Sequence, residues 1–256
     1  MISLDQIFEL SKKFKIAESI VAREYFQILF LNELYSRPFS DDIFFKGGTC
    51  IRLVYHGKRF SEDLDFTVNM DGELFDTNLK KLFKGLENIY PIQFKEKESI
   101  TGKSYLLTAK LENLKTDIFI KLDFSFRENV IEPVRNILQS EYPIITSNFI
   151  LSLSKNEIIA EKVRAIMTRE KMRDLYDLWI VQELGGEFDL ELVNQKLKYY
   201  NEIFDKKTYI ERIDNFKSDK FITDLRPFVP SDERSKLGLL FEFVKEYCKK
   251  SVVDLK

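Results

Sequence analysis

The stretch KGGTCIRLVYHGKRFSEDLDFTV, residues 46–68, contains a glycine pair, a short helical run and two aspartates separated by one residue. Glycine tolerates positive φ, so the pair suits a tight turn in which the backbone approaches a ligand closely. From residue 59 onward the pattern alternates, which predicts a strand over residues 59–68. Alternation places the side chains of Asp63 and Asp65 on the same face of that strand.

Two carboxylates on one strand face need a physical explanation. At a separation of about 4 Å they repel by roughly 4 kcal/mol at an effective dielectric near 20. Such a pair indicates a bound cation, a shared proton or simple exposure to water. Carboxylate oxygens suit Mg²⁺ or Mn²⁺, which keep several waters and take further ligands from the phosphates of a substrate. Asp123, on the polar face of another predicted strand, adds a third carboxylate to this hypothesis.

The glycine pair supplies the other half of the hypothesis. Gly47 and Gly48 let a phosphate approach the backbone. The helix predicted over Thr49–Tyr55 offers free N–H groups at its start, and Thr49 adds a hydroxyl donor. A triphosphate between this turn and a metal would be neutralised from two sides, which serves phosphoryl or nucleotidyl transfer. Each half also has an ordinary explanation, a solvated strand edge and a simple turn, but the combination at this spacing favours function.

Periodicity divides the chain into two parts. Strands are predicted over residues 43–45, 59–68, 104–113 and 118–126, and helices within residues 4–36 and over residues 73–89. Beyond Pro143 the strand signals fade, and from Ser154 the pattern is mostly helical. We therefore expect an α+β protein with a domain boundary near residue 145.

Charge and cysteine usage exclude several classes of protein. The 256 residues carry 40 Lys+Arg against 42 Asp+Glu, a net charge of -2, so no global basic field predicts nucleic-acid binding. Cys50 and Cys248 match neither a metal-ligand spacing nor a disulfide framework, which favours a reducing compartment such as the cytoplasm. No run approaches the ~18 apolar residues of a membrane span, and the N-terminus lacks the apolar core of a signal peptide.

The motifs FFKGGTCIRLVY and RFSEDLDF together resemble the first motif of the AbiEii-type nucleotidyltransferase toxins, within the DNA polymerase β-like superfamily. The stretch NEIIAEKVRAIMTREKMRDLYDLW, residues 156–179, is similar to that group's later motifs, a lysine in a helix followed by Arg-Asp-x-Tyr-Asp. The resemblance implies a nucleotidyltransferase domain over residues 1–145, with a small mixed β-sheet flanked by helices. It implies a helical bundle domain over residues 146–256.

The resemblance also implies the composition of a site. Its metal ligands for Mg²⁺ or Mn²⁺ would be Asp63, Asp65 and Asp123. Its contacts to the triphosphate would be Lys46, Gly47, Gly48, Thr49 and Lys162. Lys162 and Asp174 would join the aspartates as catalytic residues, and Asp123 would act as a base on the attacking hydroxyl. Ordinary explanations exist for the later motif: Lys162 can extend over the core, and Asp174 and Asp177 can serve a helix N-terminus.

The activity that the resemblance implies is transfer of a nucleoside monophosphate from an NTP to RNA, often the 3′ end of tRNA. The protein would then be the toxin of a toxin–antitoxin pair with a cognate antitoxin. Two alternatives remain open from the residues: the same transfer to a protein or small-molecule hydroxyl, and a nucleotide-binding module without turnover. His56 is the only histidine, and neither cysteine has an activating neighbour, so we discount hydrolases that use a Ser-His-Asp or Cys-His arrangement.

Overall fold

The computed structural model of the chain describes residues 1–99, 102–112, 114 and 116–252. The chain forms two compact units. The sheet unit comprises Met1–His56 and Phe60–Leu153, and the helical unit comprises Gly57–Arg59 and Ser154–Lys256. Residues 253–256, with which the predicted helical domain ends, lie outside the described residues.

The sheet unit is built on a seven-stranded mixed sheet. Its strands are β1 (Ile43–Lys46), β2 (Leu64–Val68), β3 (Ile92–Lys97), β4 (Gly102–Ala109), β5 (Ile118–Ser125), β6 (Pro133–Ile137) and β7 (Phe149–Leu153). They follow the spatial order β3-β4-β5-β2-β1-β7-β6. The pairs β2–β5 and β1–β7 are parallel and the other pairs are antiparallel. The predicted α+β class with a mixed sheet and flanking helices is therefore confirmed.

Helices accompany the sheet and form the second unit. The sheet unit contains α1 (Leu4–Phe14), α2 (Glu18–Tyr35), α3 (Gly47–Leu53) and α4 (Gly72–Ile89). The helical unit contains α5 (Lys155–Thr168), α6 (Met172–Glu183), α7 (Leu190–Lys198), α8 (Lys206–Asp214), α9 (Ser218–Leu225) and α10 (Leu237–Lys250). The carboxylate of Asp71 caps α4, and the hydroxyl of Ser154 caps α5, so both helices begin where a short polar side chain satisfies free N–H groups. No helix among the described residues is long and apolar enough to cross a membrane.

An aromatic core covers one face of the sheet. Phe66 of β2 stacks on Phe124 of β5 with ring centroids 4.8 Å apart, and Phe75 of α4 meets the same ring at 4.9 Å. Phe30 of α2 also approaches Phe66, at 6.5 Å. Successive residues of a strand point to opposite faces. Asp65 and Asp123, the sequence neighbours of these phenylalanines, therefore point away from this core.

Several predicted boundaries were wrong. The strand expected over residues 59–68 is confined to β2, because the carbonyl groups of residues 61–63 bond to side chains instead of to a neighbouring strand. The strand expected over residues 104–113 begins at Gly102 and ends at Ala109, and Asn113 lies outside the described residues. Helix α3 begins at Gly47, two residues before its predicted start.

Three strands were missed. They are β3, β6 and β7. Strand β6 begins with Pro133 at the edge of the sheet, where a missing N–H is tolerated. Because proline in a sequence argues against a strand, the sequence did not predict this one. Strand β7 is a short apolar run, which periodicity cannot distinguish from a helix segment. The predicted boundary near residue 145 falls between these two strands.

Candidate active site

A row of polar side chains crosses four neighbouring strands. The register places Asp65 of β2 directly opposite Asp123 of β5, and Lys46 of β1 directly opposite Asp65. Ser104 of β4 lies opposite Asp123 and completes the row. Neighbouring strands lie about 4.8 Å apart, so these side chains are close neighbours on the face away from the aromatic core. Three predicted site residues, Lys46, Asp65 and Asp123, are thus neighbours in the sheet.

Asp63 immediately precedes β2 and approaches the same acids. Burial, together with the neighbouring charges of Asp65, Glu62 and Asp123, raises its pKa from 3.8 to about 6, while Lys121 opposes this shift. A carboxylate with this environment carries an electrostatic penalty when ionised. Asp63 thus lies outside the strand but close enough to Asp65 and Asp123 for their charges to act on its carboxylate.

The glycine turn lies against Asp65. Gly47 has a φ of +80°, a conformation that side chains with a Cβ rarely adopt, and a Cβ added there would overlap the Asp65 carboxylate. Glycine is thus required at position 47 both by its backbone and by the space. Gly48 follows within α3 and is buried. The hydroxyl of Thr49 donates to the backbone carbonyl of Asp63, and the residue is only 1% exposed.

Two ion pairs border the row. Lys46 Nζ lies 3.8 Å from a carboxylate oxygen of Glu128, which is 2% exposed in the segment after β5. Lys121 Nζ lies 2.6 Å from Asp123 Oδ2. Sequence reasoning missed Glu128 because it lies outside any periodic segment, so the sequence carries no signal for its pairing with a residue of β1. The alternation that placed Asp123 on the polar face also places Lys121 there.

The helical unit contains a buried charge network. Arg59 forms a two-pronged ion pair with Asp177, with Nε–Oδ1 and Nη2–Oδ2 distances of 2.6 and 2.7 Å. Lys162 Nζ lies 2.9 Å from Asp174 Oδ1 and 2.6 Å from Asp177 Oδ2. Arg169 Nε lies 2.9 Å from Asp174 Oδ2. Three cations thus lie beside these two carboxylates.

The network determines the protonation of its acids. Burial by itself raises the pKa of Asp174, but Lys162 and Arg169 hold that pKa well below its ordinary value. Arg59 and Lys162 do the same for Asp177 against the opposing effect of burial. Both acids are therefore ionised at neutral pH.

The charged side chains of the later motif thus form ion pairs with one another. Helix α6 begins at Met172, and its cap residue is Lys171, so neither Asp174 nor Asp177 is the N-cap. The side chain of Lys162 is 10% exposed and ends in two ion pairs, so it does not extend over the core toward solvent. Arg59, predicted to lie in a strand, precedes β2 and forms an ion pair with Asp177.

The donor set fits a hard divalent cation. Asp63 and Asp65 offer carboxylate oxygens, and burial together with the neighbouring acids raises the pKa of Asp63. Among the described residues no three His, Cys, Asp or Glu side chains are grouped as a complete ligand set. Mg²⁺ commonly takes only one or two protein carboxylates and completes its shell with water and phosphate oxygens.

The comparisons with known proteins agree with the fold. A family model described as nucleotidyl transferase AbiEii toxin, type IV TA system, matches residues 29–236. MenT4, a nucleotidyltransferase toxin from Mycobacterium tuberculosis, is 18% identical, with 96% of this chain and 90% of that chain covered at a TM-score of 0.64. A candidate nucleotidyltransferase from H. pylori is 21% identical, with coverages of 92% and 98% and a TM-score of 0.53.

No curated protein matched the sequence. At these low identities the two structural matches show the shared fold alone. The family model covers most of the chain, including the glycine turn, the aspartate pair and the later motif. The chain therefore belongs to the AbiEii family of nucleotidyl transferase toxins of type IV toxin–antitoxin systems.

Proposed function

We propose that this protein transfers a nucleoside monophosphate from an NTP to the 3′ end of an RNA, with tRNA as the acceptor, and releases pyrophosphate. The observation that carries the proposal is the row in which Asp65 lies opposite Asp123 and against the positive-φ glycine at position 47. Such a row joins a hard-cation donor set to a turn where a phosphate can approach the backbone.

In this proposal Asp63 and Asp65 bind Mg²⁺ or Mn²⁺. The metal supplies charge neutralisation of the triphosphate and orients the reacting phosphate. The phosphate tail lies against the backbone of the turn at Gly47 and Gly48, with Lys46 and Thr49 beside it. Asp123 is the third acid. It acts as a metal ligand or as a base once its ion pair with Lys121 is broken.

The later motif supplies positive charge in this proposal. Lys162 contacts the phosphates, which its place in the motif shared with the family and its cationic neighbours Arg59 and Arg169 support. Asp174 keeps the Lys162 ammonium charged and oriented as its partner at 2.9 Å. A preorganised cation of this kind favours the charge that develops on the transferring phosphate.

A labelled-nucleotide assay tests the proposal. The protein is incubated with each α-³²P NTP, Mg²⁺ and total RNA, and we expect label at the RNA 3′ end. Asp65→Asn should reduce transfer at least about 100-fold, because it removes a charged ligand without changing the shape. Asp117→Asn is a matched control, since Asp117 is exposed and precedes β5. Equal transfer by wild type and Asp65→Asn would contradict the proposed site.

The same assay identifies the acceptor. Label on protein or on a small molecule, with RNA unlabelled, would favour the alternative acceptor class. Tight NTP binding without pyrophosphate release would favour a binding module without turnover. We propose that the reaction takes place in the cytoplasm and is opposed by a cognate antitoxin. Growth arrest on expression, relieved by a small neighbouring gene, is the expected result.

A further inference from the structure

The segment that carries Asp63 into the row has no strand or helix to hold it. Residues 60–63 are irregular, and a backbone carbonyl group in a buried setting needs a hydrogen-bond donor. Gln27 supplies two of these bonds: its Nε2 lies 3.2 Å from the carbonyl oxygen of Ser61 and 3.0 Å from that of Glu62. Thr49 supplies the third, to Asp63. Three successive carbonyl groups are therefore held by side chains from α2 and α3.

Gln27 is an unusual residue for its position. It is 1% exposed within α2, where nearly every other buried side chain is apolar. Burying an amide costs on the order of 1–3 kcal/mol when its hydrogen bonds are incomplete. The amide oxygen Oε1 has no hydrogen-bond partner among the described residues, so only the donor end of the side chain is used. An apolar residue of the same length would fill the space without that cost.

The bonds from Gln27 reach the residues directly before Asp63. Asp63 carries a like charge toward Asp65 and Asp123, and that repulsion favours displacement of the segment from the row. The two carbonyl bonds oppose displacement, because they attach the backbone of residues 61 and 62 to a helix buried in the core. Catalytic groups must be held within fractions of an ångström, so such attachment bears directly on rate.

We propose that Gln27 is a positioning residue for the nucleotidyl-transfer site: it holds the Ser61–Glu62 backbone so that the Asp63 carboxylate stays beside Asp65. This inference rests on the proposed function. Gln27 does not touch the nucleotide or the metal in this arrangement. It acts through the segment that ends at Asp63.

Two substitutions of similar length separate positioning from packing. Gln27→Met keeps the length and apolar contacts but removes the donor. Gln27→Glu keeps the shape but directs an acceptor at two carbonyl oxygens. We expect kcat to fall at least about ten-fold in Gln27→Met and further in Gln27→Glu, while KM for the NTP changes less than about three-fold. Gln195→Met is the matched control, because Gln195 lies outside the sheet unit and its amide donates to Glu191.

A second readout does not need activity. Mn²⁺ affinity, measured by water-proton relaxation, should weaken at least about five-fold in both variants, and amides of residues 61–65 should exchange faster without metal. The global unfolding midpoint of Gln27→Met should stay near that of wild type.

Wild-type Mn²⁺ affinity and kcat in both variants would overturn the proposal, as would loss of the native fold in both, which would make Gln27 a packing residue. A wild type without transfer activity contradicts the proposed function, while Mn²⁺ affinity and exchange still decide the role of Gln27.

Discussion

Glycine at position 47 is the residue on which the candidate active site depends most directly. Its φ of +80° and its closeness to the Asp65 carboxylate leave no room for a side chain. The need is both conformational and steric, so it differs from that of a glycine that merely ends a helix. At Gly47 the glycine turn therefore lies directly against the carboxylate of Asp65.

Gly47→Ala should therefore reduce both stability and transfer. We expect a loss of about 1–3 kcal/mol in the free energy of unfolding, since the methyl group meets Asp65 and the backbone is strained. Gly85→Ala is the matched control: position 85 lies within α4 with open space around it, so the same change should stabilise by about 0.5–1 kcal/mol. Urea unfolding and Mn²⁺ titration measure both effects. Mn²⁺ binding unchanged by Gly47→Ala would show that the turn and the carboxylate are independent.

At the scale of elements, buried ion pairs join the helices of the helical unit. Lys196 of α7 is fully buried, and its Nζ lies 2.6 Å from Glu157 Oε1 and 3.5 Å from Glu161 Oε1 of α5. Removing one partner of such a pair leaves an uncompensated buried charge, whereas removing both can be nearly neutral. Helix α5 also carries Lys162, so this pair supports the helix that presents it.

Lys196→Met should destabilise the protein by about 3–5 kcal/mol because it removes the cation that lies 2.6 Å from the buried carboxylate of Glu157. The double variant Lys196→Met/Glu157→Leu should recover a large part of that loss. Urea unfolding followed by far-UV circular dichroism measures both. Lys207→Met serves as the exposed control, since its pair with Glu211 is solvated, and it should leave the midpoint unchanged. A double variant less stable than the single one would contradict this electrostatic explanation.

For the whole molecule, the free energy of unfolding depends on pH in two opposite ways, one through Asp174 and Asp177 and the other through Asp63. Asp174 and Asp177 have lowered pKa values in the folded state, so their contribution is present above their unfolded pKa and is lost as the pH falls below about 4. Asp63 has a folded-state pKa of about 6 against 3.8, so its contribution is present below about pH 4 and lost as the pH rises through 6.

Without divalent metal, the protein should therefore be most stable between about pH 4 and pH 6. Denaturation in EDTA should show a loss on the order of 1 kcal/mol between pH 5 and pH 7.5, since solvent screens a partly exposed carboxylate. Asp63→Asn should remove this loss, and added Mg²⁺ should reduce it in the wild type but not in that variant. A wild-type profile that is flat from pH 5 to pH 7.5 in EDTA would contradict the explanation.

Local sequence features were sufficient for much of this description. The alternation around Asp65 and Asp123 and the glycine pair before a helical run gave the residue types of the site, because side-chain direction and turn conformation are short-range properties. Helical periodicity likewise indicated α1, α2 and α4, whose buried faces repeat along the chain.

Only the tertiary structure decided which of these residues meet. Strand register places Asp65 opposite Asp123 and Lys46, and register depends on pairing between distant segments rather than on local pattern. The segment before Asp63 reads as a strand but is held by Gln27 instead, since the hydrogen bonds available in the folded chain override its alternation. The partnership of Arg59 with Asp177, 118 residues apart, is likewise a product of folding, because a buried guanidinium takes whichever carboxylate the packed helices bring to it.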